Sequence, residues 1–301
     1  MHLPFAEIEF DEIHSTFIEE AGVSLSMMRL DKIHESVSGN KLFKLHFYIE
    51  NCLKTNNKTL LTFGGAYSNH LAATAFLCKI KNIKCIGIVR GLEPKILSHT
   101  LEFCKANGMI LEFIDNETYK NASDKTFEKS LETKYGEFTL VPEGGYGMEG
   151  AKGASIIMDL LKNKNATHVC TSVGTATTLA GLLMNCDFVE KIIAIPAIKN
   201  MHDIEERLNE LGVNFKREKL EIFPEYHFGG YAKHTPELIN FMNIFFIENN
   251  IPLDFIYTAK MMFGIYSKIK TGYFARGSNI ICLHTGGLQG NLSFAKDTLF
   301  F

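Results

Sequence analysis

Residues 59–79 read TLLTFGGAYSNHLAATAFLCK, and this stretch sets the pattern for the rest of the chain. Five strand-forming residues end in a glycine pair, polar residues follow, and an amphipathic helix starts at once. Strand, loop and helix recur in this order along the sequence. The recurrence predicts parallel β-sheets covered by helices on both faces, so we expect an α/β protein with three-layer αβα architecture.

Other apolar, β-rich runs predict the remaining strands. They lie at 23–30, 84–89, 109–114, 138–141, 167–173, 191–196, 219–223 and 279–284. Helical periodicity predicts α-helices between these runs. The predicted helices lie at 69–79, 96–106, 151–161, 178–184, 204–211, 236–247 and 259–269. The polar stretch 115–134 mixes charges of both signs, which predicts a solvated surface helix with its approach loop.

Composition excludes several classes of protein. The 31 Lys and Arg against 34 Asp and Glu give a formal net charge of −3, which excludes a chain built to neutralise nucleic acid. The seven cysteines include no C-x-x-C pair, so we expect neither metal knuckle nor disulfide framework, but reduced cysteines in a cytoplasmic protein. The sequence has no signal-peptide pattern and no apolar run long enough to span a membrane, so no membrane partner is expected.

Three predicted strands end in glycine-containing loops, where open parallel sheets bind ligands. The second loop contains no cation, so it suits a phosphate monoester held by backbone N–H groups and hydroxyls alone. This loop consists of Gly174, Thr175, Ala176, Thr177 and Thr178. The first loop, with Ser68, Asn69 and His70, suits a small anion such as a carboxylate. No loop matches a P-loop or a dinucleotide fingerprint.

Lys41 follows Ser38-Gly39-Asn40 at the predicted start of an amphipathic helix. Positive charge is disfavoured at a helix N-terminus, so a surface cation would be oddly placed there. Taken alone, the motif is also compatible with a solvated lysine. Together with a phosphate loop and a carboxylate loop, Lys41 suggests the Schiff-base lysine of a pyridoxal-phosphate enzyme.

The sequence resembles the fold type II pyridoxal-phosphate enzymes, and within them the 1-aminocyclopropane-1-carboxylate deaminase / D-cysteine desulfhydrase family. The resemblance runs from about residue 20 to the C-terminus. It rests on MRLDKIHESVSGNK, GGAYSNH, IYTAKMMFGI and HTGGLQG, which occur in the family's order. It implies pyridoxal 5′-phosphate as cofactor and a small amino acid as substrate, and a homodimer is expected.

The positions of the loops predict how two parallel-sheet domains are arranged. The phosphate loop, residues 174–178, and the final glycine-containing loop, residues 285–290, both follow residue 152. The carboxylate loop, residues 68–70, precedes it. We therefore expect a small domain at 44–152 that is inserted into a larger cofactor-binding domain formed by 1–43 and 153–301. The cofactor would then lie in the cleft between the two domains.

The resemblance also implies a role for each motif residue. Lys41 would bind the cofactor covalently, and Asn69 would hydrogen-bond its phenolic oxygen. Ser68 would transfer a proton, and together with Asn69 and His70 it would line the carboxylate site. Residues 174–178 would form the phosphate cup.

The C-terminal motifs receive roles in the same way. Tyr231 and Tyr257 would reach into the substrate pocket as catalytic residues. Thr258, which follows Tyr257, and Thr285 would place hydroxyls near the pyridine nitrogen of the cofactor. One departure from the family is Phe43, which stands where members usually carry an arginine two residues after the lysine.

The two activities of the family require different side chains near the pyridine nitrogen of the cofactor. Deaminases place a glutamate after the reactive tyrosine, and a carboxylate there favours the pyridinium form. Because this chain has Thr258, and Thr285 where deaminases have leucine, we expect α,β-elimination that converts D-cysteine to pyruvate, sulfide and ammonia. Ring opening of 1-aminocyclopropane-1-carboxylate to 2-oxobutanoate is the alternative. A catalytically weak cofactor-binding homologue and a phosphate-binding protein without pyridoxal phosphate also stay open.

Overall fold

The computed structural model describes residues 7–34, 39–121 and 124–301, so Ser38 of the lysine motif lies outside the described residues. Within these ranges, ten strands form two separate sheets. The strands are β1 (Phe10–Glu12), β2 (Ser24–Met28), β3 (Thr59–Gly64), β4 (Lys84–Arg90), β5 (Met109–Ile114), β6 (Thr139–Val141), β7 (His168–Val173), β8 (Lys191–Pro196), β9 (Leu220–Ile222) and β10 (Asn279–Leu283). Strands β2 to β10 confirm the predicted runs. Strand β1 was missed because three partly exposed residues form no apolar run.

Helices cover both faces of each sheet. They are α1 (Thr16–Ala21), α2 (Lys41–Lys54), α3 (Asn69–Ile80), α4 (His99–Ala106), α5 (Asn116–Lys120), α6 (Lys125–Tyr135), α7 (Met148–Asp159), α8 (Thr177–Met184), α9 (Ile204–Glu210), α10 (Pro236–Asn249) and α11 (Thr258–Lys270). The stretch 115–134 holds two helices rather than the single predicted one. Asp115 and Asp124 each accept backbone N–H groups, so each starts a helix of its own. Among the described residues, no helix is both long and apolar enough to cross a membrane.

The two sheets are mainly parallel. The larger sheet has the strand order β1-β2-β10-β7-β8-β9, with β1 antiparallel to β2 and every other pair parallel. The smaller sheet has the order β5-β4-β3-β6 and is entirely parallel. All strands of the smaller sheet come from the chain between β2 and β7. This order fits an inserted small domain, although the boundaries at 44–152 stay a prediction.

Side-chain alternation along the strands builds three apolar cores. Leu60 and Val169 belong to a core that joins one face of each sheet through helices α2, α3, α7 and α8. The next residues along the same strands, Leu61 and Cys170, point to the opposite faces. Leu61 packs with α5 and α6, and Cys170 packs with α1, α10 and α11. Phe43 is fully buried in the shared core.

Close packing of α2 against α7 links the two sheets. Gly153 of α7 faces the backbone of α2, and a Cβ atom at this position would lie 2.0 Å from the carbonyl oxygen of Phe43. That distance is far inside van der Waals contact with a backbone atom that cannot rotate away. The approach of the two helices therefore depends on a residue without a side chain at position 153.

We expect Gly153→Ala to destabilise the protein, although alanine favours a helix by about 1 kcal/mol. The overpacked methyl group forces α2 and α7 apart, and we expect a net loss of about 2 kcal/mol in the free energy of unfolding. Urea denaturation would measure this loss. Lys152→Ala, on the exposed side of the same helix, is the control and should change stability by less than about 0.5 kcal/mol. Equal stability of the two variants would contradict this account of the packing.

Candidate active site

Lys41 is the first residue of α2, and its amine is withdrawn from water. Its Nζ atom donates to Oδ1 of Asn40 over 3.0 Å. Desolvation lowers the pKa of this amine to about 8, and the negative charge of Asp254 opposes the lowering. An amine with this pKa can both hold and release a proton near neutral pH. The solvated-lysine alternative is therefore disfavoured.

Gly39 fixes the loop that presents Lys41. Its φ of +84° lies in the region that favours glycine, and a Cβ atom would lie 2.0 Å from the carbonyl oxygen of Thr285. The backbone N–H of Asn40 also donates to this oxygen, over 3.4 Å. The start of α2 is thus held directly against the loop that follows β10.

The predicted phosphate cup lies between the end of β7 and the start of α8. Ala176 adopts a left-handed conformation with φ of +63°, which turns the chain sharply into the helix. The hydroxyls of Thr175 and Thr177 lie 2.9 Å apart and share a hydrogen bond. Thr178 is buried, and its hydroxyl accepts a hydrogen bond of 2.8 Å from Nδ2 of Asn40. Hydroxyls and helical N–H groups therefore gather where an anion would bind.

A lysine amine also lies at this cup, in addition to the expected hydroxyls and N–H groups. Nζ of Lys44 donates to Oγ1 of Thr175 over 3.4 Å, and the lysine side chain is buried. Desolvation and the neighbouring Lys41 hold the pKa of Lys44 well below its usual value. This amine comes from α2 rather than from the loop itself. The spacing Lys41-x-x-Lys44 was the available signal, because residues three apart share a helix face.

The first loop presents polar groups at the start of α3. Oγ of Ser68 accepts from the backbone N–H of Leu71 over 3.2 Å, so the hydroxyl proton is available for another acceptor. The Asn69 side chain reaches Gly287, where a Cβ atom would lie 3.1 Å from its Nδ2. Oδ1 of Asn69 is buried without a hydrogen-bond partner among the described residues. The Asn69 amide is therefore incompletely satisfied at the junction of the two sheets.

His70 is buried, and its tautomer follows from its neighbour. Oγ1 of Thr62 donates to the carbonyl oxygen of Val141 and lies 2.7 Å from Nε2 of His70. Since the hydroxyl has only one proton, Nε2 must donate to it, which leaves Nδ1 as an acceptor. Nδ1 has no partner among the described residues. Desolvation, then the charges of Lys44 and Lys41, hold the pKa of His70 well below 6.5.

Tyr257 and Tyr231 enclose the cup from the side of the larger sheet. A Cβ atom on Gly174 would lie 3.2 Å from the hydroxyl of Tyr257. The two tyrosine rings meet edge to face with centroids 6.3 Å apart, and Tyr231 is 53% exposed at the mouth of the site. Burial raises the pKa of Tyr257 well above its usual value, and the neighbouring Tyr231 and Asp254 add to the rise. The Tyr257 phenol is therefore a hydrogen-bond donor near neutral pH.

Asp254 organises the turn that carries Tyr257. Its carboxylate accepts from the backbone N–H groups of Ile256, Tyr257 and Thr258, at 2.8 to 3.0 Å. The Thr258 hydroxyl donates to the same carboxylate over 2.7 Å and accepts from the Asp254 N–H over 2.8 Å. Thr258 is fully buried, and its hydroxyl is committed to Asp254. The expected placement of the Thr258 hydroxyl near the pyridine nitrogen of the cofactor thus stays a prediction that rests on the resemblance. The Thr285 side chain is partly exposed beside Gly39.

Lys260 holds the loop that carries Tyr231. Its fully buried Nζ donates to the carbonyl oxygens of Gly230 over 2.7 Å and Ala197 over 3.3 Å. This contact and those above bring the sequence-predicted residues together at the carboxyl ends of β3, β7 and β10. The residues that sequence reasoning missed are Asn40, Lys44, Thr62, Asp254 and Lys260. Apart from the lysine spacing, Asn40 directly before α2 and Asp254 shortly before α11 carried helix-start signals.

The neutral state of His70 makes the protein less stable in acid. Below a pH of about 6.5 the unfolded chain protonates this histidine and the native chain does not, so the free energy of unfolding falls by up to about 1.4 kcal/mol per pH unit. His70→Gln should remove this part of the decline between about pH 6.5 and 5. Urea denaturation at several pH values would test this, with the exposed His14→Gln as control. Parallel decline in His70→Gln and wild type would contradict the buried neutral imidazole.

Comparisons with known proteins address the resemblance. No protein-family model matches the chain. Two curated relatives named "Putative 1-aminocyclopropane-1-carboxylate deaminase" align over most of it. The protein of Pyrococcus abyssi is 26% identical over 93% of this chain and 89% of its own length. The protein of Thermotoga maritima is 28% identical over 90% of this chain and 91% of its own length.

A solved structure shares the architecture as well. It is a homologue of 1-aminocyclopropane-1-carboxylate deaminase, with a TM-score of 0.82, 22% identity, and coverage of 97% of this chain and 92% of the other. The match includes both sheets and therefore confirms the predicted fold class. The resemblance to the 1-aminocyclopropane-1-carboxylate deaminase group is thus confirmed along nearly the whole chain, which has the fold type II architecture of the pyridoxal-phosphate enzymes.

Proposed function

We propose that this protein is a pyridoxal-phosphate-dependent lyase or deaminase that acts on a small amino acid. The similarity to the deaminase group bears out the expected enzyme class and cofactor. The observation that carries the proposal is the pair of desolvated lysines on one turn of α2. Lys41 presents a reactive amine with a pKa of about 8, and Lys44 places a second buried amine at the cup formed by Thr175, Thr177 and Thr178.

The polar groups of the site fit this cofactor. Lys44, the hydroxyls of Thr175 and Thr177, and the N-terminus of α8 together suit a phosphate dianion. Oδ1 of Asn69 is buried and has no hydrogen-bond partner in the described part of the chain, so it is an acceptor free to engage a further polar group. Lys41 would hold the aldehyde carbon. When bound, the cofactor supplies an electron sink for negative charge on the substrate α-carbon.

The chain's own residues supply binding and proton transfer. Ser68 has a hydroxyl proton to give, because its oxygen already caps α3. The Nδ1 of His70 is an acceptor, which suits orientation of a neighbouring donor rather than charge pairing with a carboxylate. Tyr257, with its raised pKa, donates a hydrogen bond and does not act as a base at neutral pH. We assign proton transfer to Lys41 and Ser68.

The finer proposal is β-elimination from a D-cysteine-like amino acid. The carboxylate of Asp254 is buried and already accepts four hydrogen bonds, including one from Thr258. It is therefore not free to stabilise a protonated pyridine ring. Thr285 offers a neutral hydroxyl in the final loop. A neutral partner suits loss of an α-proton followed by departure of a thiolate, which carries the negative charge away.

Ring opening of 1-aminocyclopropane-1-carboxylate is the second candidate. It is favoured by the name that the curated relatives carry. Ring opening requires a stronger electron sink than β-elimination, because the cyclopropane substrate has no α-proton to lose and no thiolate to expel. Three further points stay predictions whichever reaction is correct. They are the homodimer, the domain boundaries and the roles of the individual residues.

Borohydride reduction followed by peptide mapping should place the cofactor on Lys41. We expect Lys41→Ala to lose both the label and turnover, because it removes the reactive amine. Lys44→Ala is the matched control on the same helix. It should weaken cofactor binding but retain the label at Lys41. A label found on Lys44 in the wild-type protein would overturn the assignment.

Product analysis separates the two candidate reactions. We expect pyruvate from D-cysteine and little 2-oxobutanoate from the cyclopropane amino acid. Thr285→Val should lower the elimination rate by about tenfold, since it removes one hydrogen bond at constant shape, whereas Thr285→Ser should retain activity. Rapid formation of 2-oxobutanoate, with no pyruvate from D-cysteine, L-cysteine or β-chloroalanine, would replace the proposal by ring opening. Cofactor binding without any of these products would indicate a weak homologue.

A further inference from the structure

Asn40 stands between Lys41 and the phosphate cup. Its Oδ1 accepts from Nζ of Lys41 over 3.0 Å, and its Nδ2 donates to Oγ1 of Thr178 over 2.8 Å. Both Asn40 and Thr178 are at least nine-tenths buried. Two consecutive hydrogen bonds, one partly buried and one buried, therefore connect the amine of Lys41 to a hydroxyl of the cup.

We propose that Asn40 is a positioning residue, whose amide ties the Lys41 amine to the Thr178 hydroxyl and so fixes the orientation of the amine. The direction of both bonds follows from chemistry. A protonated lysine amine only donates, so it must face the amide oxygen of Asn40. The amide nitrogen then faces Thr178, whose hydroxyl accepts and still has its own proton to give to an anion in the cup.

Two backbone hydrogen bonds also fix the position of Asn40. Its N–H donates to the carbonyl oxygen of Thr285 over 3.4 Å, and its carbonyl oxygen accepts from the N–H of Lys44 over 3.1 Å. The residue is thereby fixed between the loop after β10 and the first turn of α2. Its side chain has little freedom to leave the line between Lys41 and Thr178.

Other charged groups near Lys41 do not replace this contact. Asp254 acts on the lysine through charge and is itself occupied by the N–H groups before α11. Lys44 and His70 lie near the lysine, and neither supplies negative charge. Among the described residues, Asn40 therefore supplies the hydrogen-bond acceptor for this amine. The inference rests on the proposed function only in taking Lys41 as the cofactor lysine.

The test measures the pKa of Lys41 in the full chain after removal of the cofactor. The rate at which acetic anhydride labels Lys41, followed by peptide mapping across neutral to alkaline pH, gives this pKa without any assay of turnover. Asn40→Ala should reduce the proton affinity of Lys41 by about tenfold, because the ammonium loses its hydrogen-bonded acceptor. Asn40→Asp should raise it, because a carboxylate attracts the ammonium.

Variants of the cup test the second bond of the connection. Thr178→Val should shift the pKa of Lys41 downward by less than Asn40→Ala, and Thr178→Ser should restore the wild-type value. Thr177→Val is the matched control, because the hydroxyl of Thr177 pairs with Thr175 and not with Asn40. A Lys41 pKa that stays the same in Asn40→Ala, or in Thr178→Val where Asn40→Ala does not fold, would overturn the proposal. Equal shifts in Thr178→Val and Thr177→Val would also overturn it, since the connection would not be specific.

Discussion

Desolvation of two lysine amines on one helical turn is the constraint on which the rest of the site depends. An ammonium group removed from water is costly unless hydrogen bonds and negative charge compensate. Lys41 has Asn40 and the field of Asp254, whereas Lys44 has the hydroxyl of Thr175. The low pKa of both lysines shows that this compensation is incomplete. A bound phosphate dianion would supply the missing negative charge.

The same positive field determines the state of the neighbouring groups. It helps to keep His70 neutral, and the bond to Thr62 then decides which nitrogen remains an acceptor. Tyr257, by contrast, stays protonated mainly because it is buried. The site thus combines lysine amines beside the cup with neutral donors and acceptors at His70 and Tyr257. Such a distribution suits a ligand that carries its negative charge on a phosphate group.

The sequence predicts the fold well, because several of its strands are buried apolar runs and three of these are followed by glycine-containing loops. Strands β3, β7 and β10 and the loops that follow them are examples, and the order of the motifs indicates the insertion. Contacts between residues distant in sequence are less accessible. Asn40 and Thr178 lie 138 positions apart, and no local pattern pairs them. Asp254 and Lys260 resemble ordinary charged residues of a loop and a helix until the fold buries them. Phe43 is explained by the shared core, which an arginine could not fill in the same way.

The order of the strands along the chain has a consequence for how this architecture can diversify. Both crossings between the sheets run through α2 and α7, and these helices pack closely through Gly153. The chain therefore leaves the larger sheet and returns to it at neighbouring points, and the segment between these points forms the smaller sheet. Ser68, Asn69 and His70 belong to this segment, whereas residues 174–178 follow β7 of the larger sheet. Under the proposed function, substitutions that alter substrate preference and substitutions that alter phosphate binding would therefore fall in different parts of the chain, apart from Lys44 on α2.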